Sequence, residues 1–168
     1  SLGFEDPLRL IKTFPGYVHI TEEGIRARIA VLKDIGFEDP IKMLTTTPPL
    51  ISYSEEMIRR KVEFYRQLGV EDPIKMITRH PGLLGYAEES VRTRIELFKE
   101  LGFEHPVKII ATHPTLLGAS DIKLRGRMAL LAELGFAKPV KIATSMPTIL
   151  GLAEGSLRAK MDLLKKMG

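Results

Sequence analysis

The chain has 168 residues, 44% of them hydrophobic, a formal net charge of +4 and no cysteine. The missing cysteine excludes disulfides and thiolate metal sites, and no stretch reaches the roughly 18 apolar residues that a membrane-spanning helix needs. A mild basic excess is weak support for a nucleic-acid partner, and it is uneven, because residues 135–168 carry six bases against two acids.

The glycines Gly3, Gly36, Gly69, Gly102, Gly135 and Gly168 recur every 33 residues. The same interval separates Pro7, Pro40, Pro73, Pro106 and Pro139, and again Pro15, Pro48, Pro81, Pro114 and Pro147. A period of this length marks a solenoid of supersecondary units, each unable to bury its apolar face alone. The expected fold is therefore all-α: an α-solenoid of five helix-turn-helix repeats, of either hand, forming a single domain over residues 1–168. The repeats run over residues 3–35, 36–68, 69–101, 102–134 and 135–168. The Ser1-Leu2-Gly3 start and the Met167-Gly168 end both fit the junction between a helix and its closing glycine. That register suggests an excised stretch of a longer array or a built one.

Each repeat opens on a glycine suited to a left-handed cap on the preceding helix. Asp6, Asp39 and Asp72 then stand as N-caps before a proline at the first helical position, whereas His105 and Lys138 replace the cap and predict weaker starts. The first helix is short, Pro7–Phe14 in the first copy and Pro73–His80 in the third, with Leu8, Leu10 and Ile11 or Ile74, Met76 and Ile77 on one face. The second proline ends it by forcing the residue before it out of helical geometry. A five-residue connection such as Gly82–Tyr86 follows, read as one turn of 3₁₀ helix.

Thr21, Ser54 and Ser120 cap the second helix, with Ala87 and Ala153 in that place elsewhere, and the acids that follow oppose its positive end. Ile20, Tyr53 and Tyr86 stand in hydrophobic-staple register with Ile25, Ile58 and Val91. In the first copy this helix is predicted over Glu22–Ile35, with Ile25, Ile29, Val31, Leu32 and Ile35 as a broad apolar stripe. Met43, Met76, Tyr65 and Phe98 are read as core. The last repeat would leave Leu157, Met161 and Leu164 uncovered, and the first repeat its own apolar side, which predicts end-to-end self-association or frayed ends.

Three positions are basic in all five copies. Arg26, Arg59, Arg92, Arg125 and Arg158 form an all-arginine series, about 60° outside the apolar arc at 100° per residue. Arginine suits planar, two-pronged contacts to phosphate or carboxylate, so this series is the first candidate for nucleic-acid binding. Arg28, Lys61, Arg94, Arg127 and Lys160 fall within the apolar arc. They can line the same groove, or satisfy carbonyls at a helix end or pair with an acid such as Glu38. Arg9, Lys42, Lys75, Lys108 and Lys141 lie opposite their helix's apolar face and read as a solvated surface. A phosphate ligand requires the arginines to share one edge without being consumed by internal ion pairs.

The sequence Pro48-Pro49-Leu50-Ile51-Ser52-Tyr53-Ser54-Glu55-Glu56-Met57-Ile58-Arg59-Arg60-Lys61-Val62 through Gly69 resembles the repeat of the mitochondrial transcription termination factor (mTERF) family, and all five units match. The resemblance implies a curved all-α superhelix with two helices and a 3₁₀ turn per unit. It also implies a basic groove for double-stranded DNA, with some relatives acting on RNA, a part in transcription termination and an organellar location.

No catalytic constellation, phosphate-cradling loop or metalloprotease motif is present, so no enzyme and no cofactor is expected. His80 and His113 share one repeat position and should lie roughly 10 Å apart, too far to share a metal; with His19 and His105 they read as surface or helix-end residues. Two variable sets could carry a base-by-base code, or drift freely. They are Thr13, Thr46, Arg79, Thr112 and Ser145, and Gly24, Met57, Ser90, Lys123 and Ser156. The expected partner is double-stranded DNA, with RNA as the other nucleic acid. A protein-binding scaffold or a consensus array without a ligand is the alternative.

Overall fold

A computed structural model describes residues 3–167, without the side chains of Leu164 and Lys165. Ser1, Leu2 and Gly168, where the terminal junctions were expected, lie outside the described residues. The fold is the α-solenoid that the period predicts. Five short helices, α1 (Pro7–Thr13), α3 (Pro40–Thr46), α5 (Pro73–Arg79), α7 (Pro106–Thr112) and α9 (Pro139–Ser145), alternate with five long ones. The long helices are α2 (Glu22–Ile35), α4 (Glu55–Gln67), α6 (Glu88–Glu100), α8 (Asp121–Glu133) and α10 (Glu154–Met167). Each short helix runs into a 3₁₀ turn that begins on the second proline, as at Pro48–Ser52 and Pro81–Gly85.

The chain divides into two compact units, Ser1–Tyr86 and Ala87–Gly168. The division falls inside the third repeat, between its 3₁₀ turn and α6, although the sequence period crosses this point without a break.

Local chemistry explains the element ends. The short helices stop one residue earlier than expected. Phe14 and His80 stand before a proline and take φ/ψ near −142°/86° and −136°/69°, which is no longer helical. Asp6, Asp39 and Asp72 accept from the amides of Arg9, Lys42 and Lys75 at 2.8–2.9 Å, while His105 and Lys138 make no such cap. Thr21, Ser54 and Ser120 cap the long helices as predicted, and Ala87 supplies no side-chain bond. At the other end Gly36 adopts φ +112°. Its amide bonds Lys33 O while that of Phe37 reaches Leu32 O, both at 3.0 Å, closing a Schellman motif. Replacing Asp72 with alanine is expected to cost about 1 kcal/mol. It should speed exchange of the α5 amides roughly fivefold in native-state hydrogen exchange.

Tyr65, Phe98, Met43 and Met76 are buried, as expected. The buried Tyr17 hydroxyl is pushed up to about 12 by desolvation. Within the first unit the second residue of a short helix meets the glycine of the previous repeat: Ile41 lies beside Gly3, and Ile74 beside Gly36. Leu8, at the corresponding place in the first repeat, and Val18, in its 3₁₀ turn, are 72% and 65% exposed. The expected apolar face of α1 is therefore only partly buried, through Leu10. At the far end Leu157 is buried, against expectation, while Leu163 and Met167 are exposed; the Leu164 side chain lies outside the described residues.

Candidate nucleic-acid interface

The two basic series of the long helices separate by depth. Lys61 and Arg127 are only 4% and 6% exposed, because their positions fall within the arc that packs inward. Each projects its charged end onto a carbonyl at the close of the next repeat's 3₁₀ turn. Lys61 Nζ donates to Tyr86 O at 2.5 Å, Arg94 to Ala119 O and Arg127 to Leu152 O. Arg94 also meets Asp121 at 2.8 Å, and Arg28 Nε donates to Ile51 O at 3.3 Å. Burial pulls the Arg28 guanidinium below its usual pKa, opposed by nearby Glu55. No pair between Arg28 and Glu38 forms among the described residues. Of the roles open to this series from sequence, the geometry gives these four the satisfaction of main-chain carbonyls rather than a place on the surface. Lys160, the fifth member, is exposed.

The all-arginine series stays at the surface, but it is paired. Arg26 meets Glu22 at 2.6 Å, and Arg59 meets Glu55 at 2.8 Å and also Asp34. Arg125 pairs with Glu100, and Arg158 lies 2.8 Å from both Glu133 and Glu154. The guanidinium of Arg158 holds the Glu133 carboxyl below its usual pKa. That pair therefore adds stability above the ordinary glutamate range and loses it as pH falls through the lowered value. Arg92 is exposed and also engaged. The bare guanidinium groups that the sequence led us to expect are thus engaged, four of them in these ion pairs. The acids Asp34, Glu100 and Glu133, each 25 residues before its arginine, are the partners that sequence reasoning missed. Their recurrence at the repeat period was the available signal, with Gln67 at the same place in the second repeat.

The third basic series, that of the short helices, forms no ion pair among the described residues. Arg9, Lys42, Lys75, Lys108 and Lys141 are all exposed, and none meets a carboxylate among the described residues. One turn further on, Thr13, Thr46 and Thr112 donate to the carbonyls of Arg9, Lys42 and Lys108. Ser145 donates to Ile142 O at 2.9 Å. These candidate code positions spend their donors on their own helices.

Among the described residues no helix is long and apolar enough to cross a membrane, and no group of three or more His, Asp and Glu is placed to hold a metal. Comparison with curated proteins gives no match. The family model described as mTERF matches residues 2–86 and, overlapping it, residues 61–168. The two matches together span the repeats from the first to the last, and the helix, turn and 3₁₀ pattern of each repeat is the one that the sequence resemblance implied. The chain belongs to the mTERF family, and with it to the nucleic-acid-binding helical-repeat proteins.

Proposed function

We propose that the chain binds double-stranded DNA through phosphate contacts and catalyses no reaction on it. One observation carries this: arginine stands at the same long-helix position in every repeat and remains at the surface, with side chains 39–58% exposed at Arg26, Arg59, Arg125 and Arg158. Its carboxylate partners are exposed too. The pairing does not meet the requirement of unpaired arginines set from the sequence, and what supports phosphate contact instead is the exposure of these pairs. Exposed ion pairs are weak and screened by salt, so a phosphate can replace the carboxylate. The short-helix cations add positive charge and meet no carboxylate among the described residues. Contacts of this kind give affinity with little choice of sequence.

A salt titration tests it. The logarithm of the affinity for a duplex should fall steeply and linearly with the logarithm of salt concentration, the slope scaling with the phosphates engaged. A flat response would remove phosphate contact from the function, and a stronger response on RNA or single strands would change the partner. A second reading, a protein-binding scaffold or a consensus array without a ligand, is favoured by the neutralised arginines. Absence of any gel shift at low salt would select it.

We further propose that copies associate end to end, the exposed Leu8 and Val18 of one meeting the exposed Leu163 and Met167 of another. Sedimentation velocity over a concentration series should then show a rising sedimentation coefficient. One species independent of concentration would end the idea.

A further inference from the structure

In the second unit an open cleft of about 710 Å³ lies between the loop at Gly102–His105 and helix α9. Its walls carry His105, Lys138, Lys141, Thr144 and Ser145, with Glu104 as the one acid. None of these residues belongs to the arginine series. His105 and Lys138 stand where the first three repeats have Asp6, Asp39 and Asp72.

The exchange changes the charge of the place. The sequence positions matching Glu104, His105, Ala137 and Lys138 one repeat earlier are Glu71, Asp72, Glu104 and His105, and two repeats earlier Glu38, Asp39, Glu71 and Asp72. Four carboxylates two repeats earlier, and three one repeat earlier, thus give way to one carboxylate, an imidazole, an alanine and an ammonium. The aspartates are also occupied as helix caps, whereas the His105 and Lys138 side chains cap nothing. Lys141 forms no ion pair among the described residues. Thr144 departs from its counterparts as well. Thr45 and Thr78 donate to the carbonyls of Ile41 and Ile74 at 2.8 Å, while the Thr144 hydroxyl makes no such bond. Two ammonium groups, an imidazole and an uncommitted hydroxyl around one open cleft form a donor set for a compact multivalent anion.

We propose that this cleft binds a phosphate group, supplied by a nucleic-acid strand or by a free nucleotide. Lys138 and Lys141 provide the charge, and His105 and Thr144 provide directed donors. Glu104 opposes them, and the two lysines outnumber it. The site stands apart from the arginine contacts of the proposed function and does not depend on them.

The test is a titration of the full chain with inorganic phosphate at ionic strength held constant with chloride, followed by ¹H–¹⁵N spectra. Saturable shifts confined to residues 102–105 and 137–145 are expected. In the double variant His105→Asp, Lys138→Asp the affinity should fall at least tenfold. That variant installs the aspartate that caps α1, α3 and α5, so its spectrum should show a folded chain. Lys141→Ala, which touches neither cap, should weaken phosphate as well. Shifts that do not saturate, that spread over all the lysines, or that persist at wild-type affinity in the double variant would overturn the site.

Two arms identify the source. A 5′-phosphorylated duplex that displaces inorganic phosphate from the same amides assigns the site to nucleic acid. Binding of adenosine monophosphate without competition from the duplex assigns it to a small phosphorylated ligand. Failure of the chain to bind any duplex would sink the proposed function and leave this cleft standing.

Discussion

Lys61→Ala is expected to destabilise the first unit by ~1–3 kcal/mol, the cost of leaving a buried polar group without its partner. Lys61 Nζ is the donor to Tyr86 O and lies 5.5 Å from the centroid of the Phe64 ring. Alanine removes that donor and also the methylene stem that packs beneath it. Lys61→Met keeps most of the stem but not the donor, so it should recover the packing part alone. Lys61→Arg should be the most stable of the three variants, because Arg94 and Arg127 perform the same task at the equivalent positions. Urea unfolding of the four proteins measures the order. Alanine as stable as arginine would mean that the link from α4 to the close of the next 3₁₀ turn contributes nothing. Duplex affinity supplies a second readout. A residue 4% exposed cannot meet a phosphate, so the folded variants should bind as wild type does.

The local parts of this fold are legible in the sequence because their causes lie within a few residues. Asp72 before Pro73, Ser54 before two glutamates, and Gly36 after Ile35 each act on a backbone group three or four positions away. Their caps and turns appear where the pattern puts them. The inward placement of Lys61 and Arg127 was legible too, since a helical wheel sets them inside the apolar arc. Which carbonyl each would reach was not, because that depends on how the following repeat packs. The same reason hid the ion pairs. Glu55 is four residues from Arg59 and within sight of a wheel, but Asp34 reaches Arg59 only across the packing of α2 on α4. The charge of the His105 and Lys138 cleft could have been found by asking where a repeated acid becomes a base. Read only as lost caps, those residues gave up half of their information.

Converting Arg59, Arg92 and Arg125 together to alanine is expected to lower the magnitude of the log–log salt slope by roughly 3, at about 0.9 per lost phosphate contact on duplex DNA. Exposed guanidinium groups rarely carry a fold, so circular dichroism should show the variant folded. A paired arginine contributes to binding only after its carboxylate is displaced, and this makes a test of opposite sign available. Asp34→Asn, Glu100→Gln and Glu133→Gln remove the acid that holds Arg125 and one of the two acids that hold Arg59 and Arg158, which keep Glu55 and Glu154. If those guanidinium groups meet phosphate, the triple variant should bind more tightly than one that neutralises Glu5, Glu38 and Glu71, which form no ion pair among the described residues. The two sets alter net charge equally, so long-range attraction cancels between them and the difference reports the released arginines. Equal gains would show that phosphate never reaches the arginines. Alanine at Lys42, Lys75 and Lys108 then becomes the decisive variant: these short-helix lysines are exposed and meet no carboxylate, and a salt slope that falls with them moves the interface to that face of the repeat.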